Sequence, residues 1–271
     1  MLVLLGPPFE GTDLDYSRLA QATGLVAYEL RSKLKPGSWG VVRALADPAQ
    51  AARLAQTLAG LGYRVAVVDP AVGHEPERRV VGVRAIGLEA EQLILHLTER
   101  AIPVPWAGLL TIVRGEVQLG GGPRAPRPSG SSSATFRAVV PSAAELAVFR
   151  ESVGSGAGDA FAAADLHFFT VPWVARIDAR SFDFSLLGGA SEGPARDLDR
   201  VVEELARRSG ARVDRGSRSS SLLSFTAVPA RVATPAPGSL RPVRELGGSD
   251  DRFDAYSRMV AEAERQTRRP G

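Results

Sequence analysis

The first 70 residues alternate between two hydrophobic periods, and this constrains the fold more than any other feature of the chain. Leu2 to Leu5 is a short apolar run of strand type. Thr12 or Asp13 can cap a helix that carries Leu14, Leu19 and Ala22 on one face. After Gly24 a second helical set, Leu25, Leu30 and Leu34, stops at Pro36 and Gly37. Val41 and Val42 lie in a strand-like stretch. Asp47 and Pro48 then read as an N-cap followed by proline at the first helical position. That helix repeats Ala51, Leu54, Ala55 and Leu58, and ends between Gly60 and Gly62. Arg64 to Asp69 is a buried-strand signal. The spacing predicts a β-α-α-β-α-β unit with a core of Leu19, Leu30, Leu54, Leu58 and Val67.

Beyond a polar link at 71–78 the period changes to that of strands. Short β-rich segments run from Arg79 to Leu119, and residues 120–133 (GGGPRAPRPSGSSS) follow. A segment of that composition cannot build a packed core and reads as a flexible insertion. Strand signals resume at TFRAVV, with a helical stretch from Ala143 to Arg150 and then ADLHFFT and WVARIDA. Pro194 to Ser209 is an amphipathic helix with Leu198, Val201, Val202 and Leu205 on one face and Gly210 after it. A short strand is expected around Leu222 to Val228. Residues 229–271 form a proline- and glycine-rich tail whose final stretch, from Asp250, is helical with a poor apolar face. The expected class is α+β. A small unit at 1–70 precedes a β-rich domain at 76–228, closed by the 194–209 helix and carrying the 120–133 insertion. The order of the middle strands resembles a pleckstrin-homology-like barrel ending in a helix.

Composition removes several function classes. The chain has no cysteine, which excludes disulfides, thiolate catalysis and cysteine-ligated zinc. No apolar run approaches the roughly 18–20 residues of a membrane helix. Met1 to Leu5 is too short for a signal peptide and lacks a basic leader, so a cytoplasmic protein without membrane contact is expected. The net charge is +3, and arginine supplies nearly all of the positive charge. With abundant alanine and glycine, that pattern is typical of a GC-rich genome. The basic cluster that could meet nucleic acid is Arg207, Arg208, Arg212, Arg215 and Arg218. Aspartate and serine interrupt it, and no stacking aromatics interleave, so a solvated helix end is the simpler reading.

Two segments resemble phosphate-binding motifs. In GPPFEGTD, Gly6 to Asp13, the glycines have phosphate-loop spacing between strand and helix. Thr12 stands where the lysine must be, and Asp13 would repel phosphate, so this reads as a strand-to-helix turn. SGAGDAF, Ser155 to Phe161, resembles the GAGD signature of ribokinase-like sugar kinases, which implies Asp159 as a general base and Gly156 to Asp159 as an anion cradle. It lies mid-chain and runs into β-rich sequence rather than opening a long helix. His74, His96 and His167 have no metal-type partner at i+3 or i+4. Asp197 and Asp199, and Glu203 and Glu204, read as the solvated face of the late helix. Trp39, Trp106 and Trp173 each sit beside proline or glycine in apolar segments and read as packing residues.

Leu19 to Leu25 (LAQATGL), Leu30, Leu34, Pro36, Asp47-Pro48, Ala51, Leu54, Leu58, Gly62 and Val65 together resemble the C-terminal domain of the bacterial ribosomal stalk protein. The resemblance covers residues 1–70. It implies helices packed on one face of a three-stranded antiparallel sheet, a fold shared with protease-adaptor domains. The stalk family's factor-binding face is rich in lysine and glycine. Val26 to Arg31 here is not, and no binding residue carries over. The expected function is therefore non-enzymatic protein–protein interaction or regulation, with a protein partner and no catalytic, cofactor or metal residue assigned. The alternatives are a phosphoryl-transfer enzyme using the Gly156 to Asp159 turn, and nucleic-acid binding through Arg207 to Arg218.

Overall fold

The computed structural model describes residues 1–74, 79–118, 160–188, 191–216, 220–226, 231–232, 244–245 and 250–268. The protein is α+β. The 120–133 insertion, the TFRAVV and Ala143 to Arg150 stretches, and Gly156 to Asp159 lie outside the described residues.

The N-terminal unit runs β1 (Leu2–Gly6), α1 (Asp13–Thr23), α2 (Ala27–Lys33), β2 (Gly40–Ala44), α3 (Pro48–Gly60) and β3 (Arg64–Val68). Its strands form an antiparallel sheet in the order β2-β1-β3. Period-2 alternation sends Val3, Leu5 and Val42 to one face, where they pack with Leu19, Leu30, Leu34 and Leu58 of the helices. Leu54 and Val67 are half-buried against that cluster. Leu14, expected on the inner face of α1, is exposed, because it falls in the first turn beyond the reach of the other helices. Thr12 caps α1 reciprocally with Asp15, and Gly24 ends it in the left-handed region that glycine adopts without strain.

The second half holds a five-stranded mixed sheet in the order β11-β8-β9-β10-β4 and a separate antiparallel meander β5-β6-β7. The larger sheet comprises β4 (Val80–Val83), β8 (Leu109–Gln118), β9 (Ala160–Phe168), β10 (Val174–Asp178) and β11 (Arg212–Asp214). The meander comprises β5 (Ala85–Leu88), β6 (Gln92–His96) and β7 (Ala101–Pro105). Both edge strands of the larger sheet, β4 and β11, pair in parallel. One sheet face, with Ile112, Ala164, Leu166, Phe168 and Ile177, packs on α4 (Pro194–Ser209) through Leu198, Val201, Val202 and Leu205. Residues Ser221–Phe225 form a 3-10 turn where a strand from Leu222 was expected. Ser220 accepts from the Leu222 amide, giving the backbone a local alternative to a ladder.

The C-terminal stretch differs most from expectation. Instead of hanging off as a tail, α5 (Asp250–Thr267) lies between the two sheets. Phe253, Tyr256, Met259, Val260 and Ala263 fill the space between Leu2, Leu4, Val41 and Val68 on one side and Val113, Val117 and Ala163 on the other. Small residues let the backbones approach: a Cβ added at Gly73 would stand 3.1 Å from the Ala255 Cβ. The layers run helices α1–α3, three-stranded sheet, α5, five-stranded sheet, α4.

Candidate functional site

The face of β9 opposite α4 alternates Ala163, Asp165 and His167, and it meets the polar side of α5. Arg176 on the neighbouring β10 donates through Nε and Nη2 to both carboxylate oxygens of Asp165, at 2.7 and 2.8 Å. It also donates to Asp254 of α5 at 2.5 Å. Burial pushes the Asp165 carboxyl up, but the guanidinium reverses this and holds it below the ordinary carboxylate range. Burial raises Asp254, and Arg176 does not fully oppose it because Asp165 is a second negative neighbour. One cation shared by two carboxylates thus leaves the better-bonded one ionised more readily.

Beside this pair, His167 Nε2 lies 2.7 Å from Ser257 Oγ, both buried. The arrangement superficially matches a nucleophile and its base. The Ser257 hydroxyl, however, hydrogen-bonds to Asp165 and lowers that carboxyl's pKa. Its proton therefore points at a carboxylate, and the imidazole N–H donates to the hydroxyl rather than withdrawing a proton from it. None of the three lines the surface cleft. They hold α5 to β9.

Two further buried carboxylates, Asp214 and Glu264, also fasten α5. Tyr256 donates to Asp214 at 2.6 Å, and Asp214 accepts from the Trp39 and Gly216 amides as well. Burial nevertheless raises the Asp214 carboxyl. Trp39 Nε1 donates to Glu264 at 3.0 Å, and Arg64 grips the same carboxylate at 3.0 and 2.7 Å.

The residues singled out from sequence fall as follows. Thr12, Asp13 and Asp15 occupy the N-terminus of α1, and Asp13 pairs with Arg31. Ala160, directly after the GAGD string, begins strand β9, so no helix opens there. Arg207 and Arg208 both pair with Glu204, Arg212 donates to the Pro7 carbonyl, and Arg215 pairs with Asp199 and Glu203. Arg218 lies outside the described residues. Asp197 is buried rather than solvated, because it accepts from Ser191 and the Glu192 amide at the start of α4. His96 is exposed at the end of β6. Trp39 is fully buried and Trp106 nearly so. Among the described residues no cluster of histidine and carboxylate groups could hold a metal ion, and no helix is long and apolar enough to cross a membrane.

The concave feature that sequence reading missed is a cleft of about 470 Å³ beside β4. Its walls are Val80 to Arg84, the β6–β7 turn at 97–100, and Arg176, Asp178 and Ser181 of β10 and the turn after it. β4 is an edge strand. The Val174 amide donates to the Arg79 carbonyl, which fixes the parity of the parallel ladder: Val81 and Val83 point their peptide groups at β10. The N–H and C=O groups of Val80 and Gly82 therefore point out of the sheet into the open side. Gly82 is exposed, and a Cβ there would meet nothing within 4 Å. Arg84 and Arg100 line the cleft, and Arg79 adjoins it. None of the three side chains has a partner among the described residues. The one sequence signal was the β-rich run from Arg79 studded with arginine. Its edge position depends on a parallel pairing with β10, nearly 100 residues away, which local pattern does not encode. In comparison with known proteins, the chain matches no family model, no curated protein and no solved structure.

Proposed function

We propose that this chain is a non-enzymatic, cytoplasmic protein that acts through protein–protein interaction, and that the β4 cleft is where a partner docks. The observation that carries the reading is the contrast between two sets of charged groups. Arg64, Arg176 and their carboxylates are committed to fixed partners that clamp α5, while Arg84 and Arg100 at the cleft are exposed and have no side-chain partner among the described residues. A concave, partly apolar surface with a few convergent polar groups is the usual form of a binding site. The likeness of residues 1–70 to stalk and adaptor domains adds support, since those folds serve as recognition modules.

The test is affinity capture from the native cell with the full chain as bait, read by quantitative mass spectrometry, using wild type, Arg100→Glu and Arg53→Glu. Arg53 is exposed on α3, far from the cleft in the fold, and serves as the control. A partner retained by wild type and Arg53→Glu and lost from Arg100→Glu supports the reading. Identical partner sets for all three baits overturn it.

A further inference from the structure

We propose that the β4 edge takes up an extended, acidic peptide segment as an added strand, in register with Val80 and Gly82. This rests on the cleft being the docking surface and specifies the chemistry of what enters it.

The first ground is how the molecule treats its other sheet edges. Exposed strand edges template pairing with another chain, and folded proteins usually blunt them. The outer edge of β3 is blocked at Val67 by Gln266: the side-chain oxygen accepts from the Val67 amide at 3.1 Å, and the side-chain nitrogen donates to the Val67 carbonyl at 3.0 Å. The outer edge of β2 is blocked where Ser221 accepts from the Val41 amide at 2.7 Å and Ser220 donates to the Trp39 carbonyl at 2.7 Å. β7 carries prolines at 103 and 105. The Trp106 amide donates to Glu91 on the β6 side, so by alternation both proline nitrogens face outward, where an N–H would otherwise be offered. On β4 no such device is present among the described residues. Val80 and Gly82 offer two N–H donors and two carbonyl acceptors.

The second ground is that the open stretch is bounded. Two residues further on, the Arg84 amide donates to the His96 carbonyl at 2.8 Å and its carbonyl accepts from the Asp183 amide at 2.7 Å. The same side of the strand is thus already used by β6 immediately past Gly82. An incoming segment fills the gap before that point and continues the line of the meander. The absence of a side chain at Gly82 leaves the backbone approachable.

The third ground is charge. Among the described residues Arg79, Arg84 and Arg100 bracket the gap without engaged partners, against two carboxylates in the cleft wall, Glu99 and Asp178. The Asp178 carboxylate is already paired with Arg180. Backbone pairing supplies affinity without sequence preference, and alternate side chains of the guest supply selectivity. Here the selectivity favours carboxylates facing the arginines.

The experiment uses the full chain and a fluorescein-labelled peptide of alternating glutamate and valine, read by fluorescence polarisation. Two further probes are its analogue N-methylated on alternate peptide nitrogens and the lysine–valine counterpart. Gly82→Pro deletes one outward N–H while sparing the ladder to β10, and Gly82→Ala keeps the N–H as its control. We expect the acidic peptide to bind, and N-methylation or Gly82→Pro to weaken binding roughly tenfold. Arg84→Glu/Arg100→Glu and the lysine–valine probe should abolish binding, while Gly82→Ala changes it little. Should Gly82→Pro fail to fold, the N-methylated probe reads the same contact from the guest's side. Loss on the arginine variant with no effect of Gly82→Pro or N-methylation leaves the cleft as a docking surface and overturns strand addition. No binding of the acidic probe up to about 1 mM, or equal binding of the lysine–valine probe, overturns the proposal.

Discussion

Replacing Arg176 with methionine tests whether the shared ion cluster between β10 and α5 stabilises the molecule in the way its geometry implies. The guanidinium is 13% exposed, the Asp165 side chain only 1%, and three short charge-assisted hydrogen bonds are lost together. Removing one partner of a buried ion pair costs about 3–5 kcal/mol, because the other charge stays buried and uncompensated. Protonation sets a ceiling: keeping a carboxyl neutral at pH 7 against an unfolded value near 3.9 costs about 4 kcal/mol. In the wild type, Asp165 has a depressed folded value. Its contribution is present above about pH 3.9 and lost as pH falls through the folded value. Without Arg176, burial, the largest influence on Asp165, is opposed only by His167 and Ser257 and raises it, and Asp254 rises further. Those contributions are then present below about pH 3.9 and lost as pH rises through the folded values. His167 faces Asp165 in both proteins, so the readout is the difference between variant and wild type. Urea unfolding followed by circular dichroism at about pH 5 and about pH 7 should show a larger deficit at the higher pH. The double variant Arg176→Met/Asp165→Leu should recover most of the loss. A single-variant cost below about 1 kcal/mol, or the same deficit at both pH values, refutes the reasoning.

Four shorter tests follow from other contacts. Gly6→Ala should cost about 1–3 kcal/mol in urea unfolding, because the new Cβ would stand 2.7 Å from the buried Trp39 ring. Leu58→Ala should cost about 2–5 kcal/mol and exceed Leu54→Ala, since Leu58 is fully buried and Leu54 only half so; the same assay ranks them. Tyr256→Phe should cost about 1–3 kcal/mol, because the buried Asp214 loses its hydroxyl donor. Asp159→Asn should leave the melting temperature unchanged, and calorimetry with ATP and magnesium should show no binding to either protein, as the following residues are strand rather than a helix N-terminus.

The helices whose burial is one-sided are legible in the sequence. α3 and α4 each present one apolar stripe to one sheet, and their periodicity, N-terminal prolines and following glycines mark them directly. α5 is not legible as a core element for the opposite reason. A helix between two sheets buries nearly its whole circumference, which spreads its apolar residues around the wheel. Much of that surface is alanine: Ala255, Ala261 and Ala263 have no exposure at all. Its charged residues, Asp254 and Glu264, read as solvated because their partners Arg176 and Arg64 are far away in sequence. Asp197 misleads in the same way, since its capping partner Ser191 lies before the helix. The β4 cleft is invisible for a topological reason: two parallel pairings decide which strand is an edge, and parallel partners are joined by crossovers that local pattern does not specify.

The position of α5 also sets a timetable. Trp39 and Glu264, which bond to each other in the core, stand 225 residues apart. At about 5–20 residues per second, a ribosome needs roughly 10–45 s to travel between them. For most of that interval β1, β2 and β3 have already been made, with Leu2, Leu4, Val41 and Val68 facing a helix that has not. The nascent chain therefore carries a wet apolar sheet face for tens of seconds, long enough for a chaperone or a neighbouring nascent chain to reach it first.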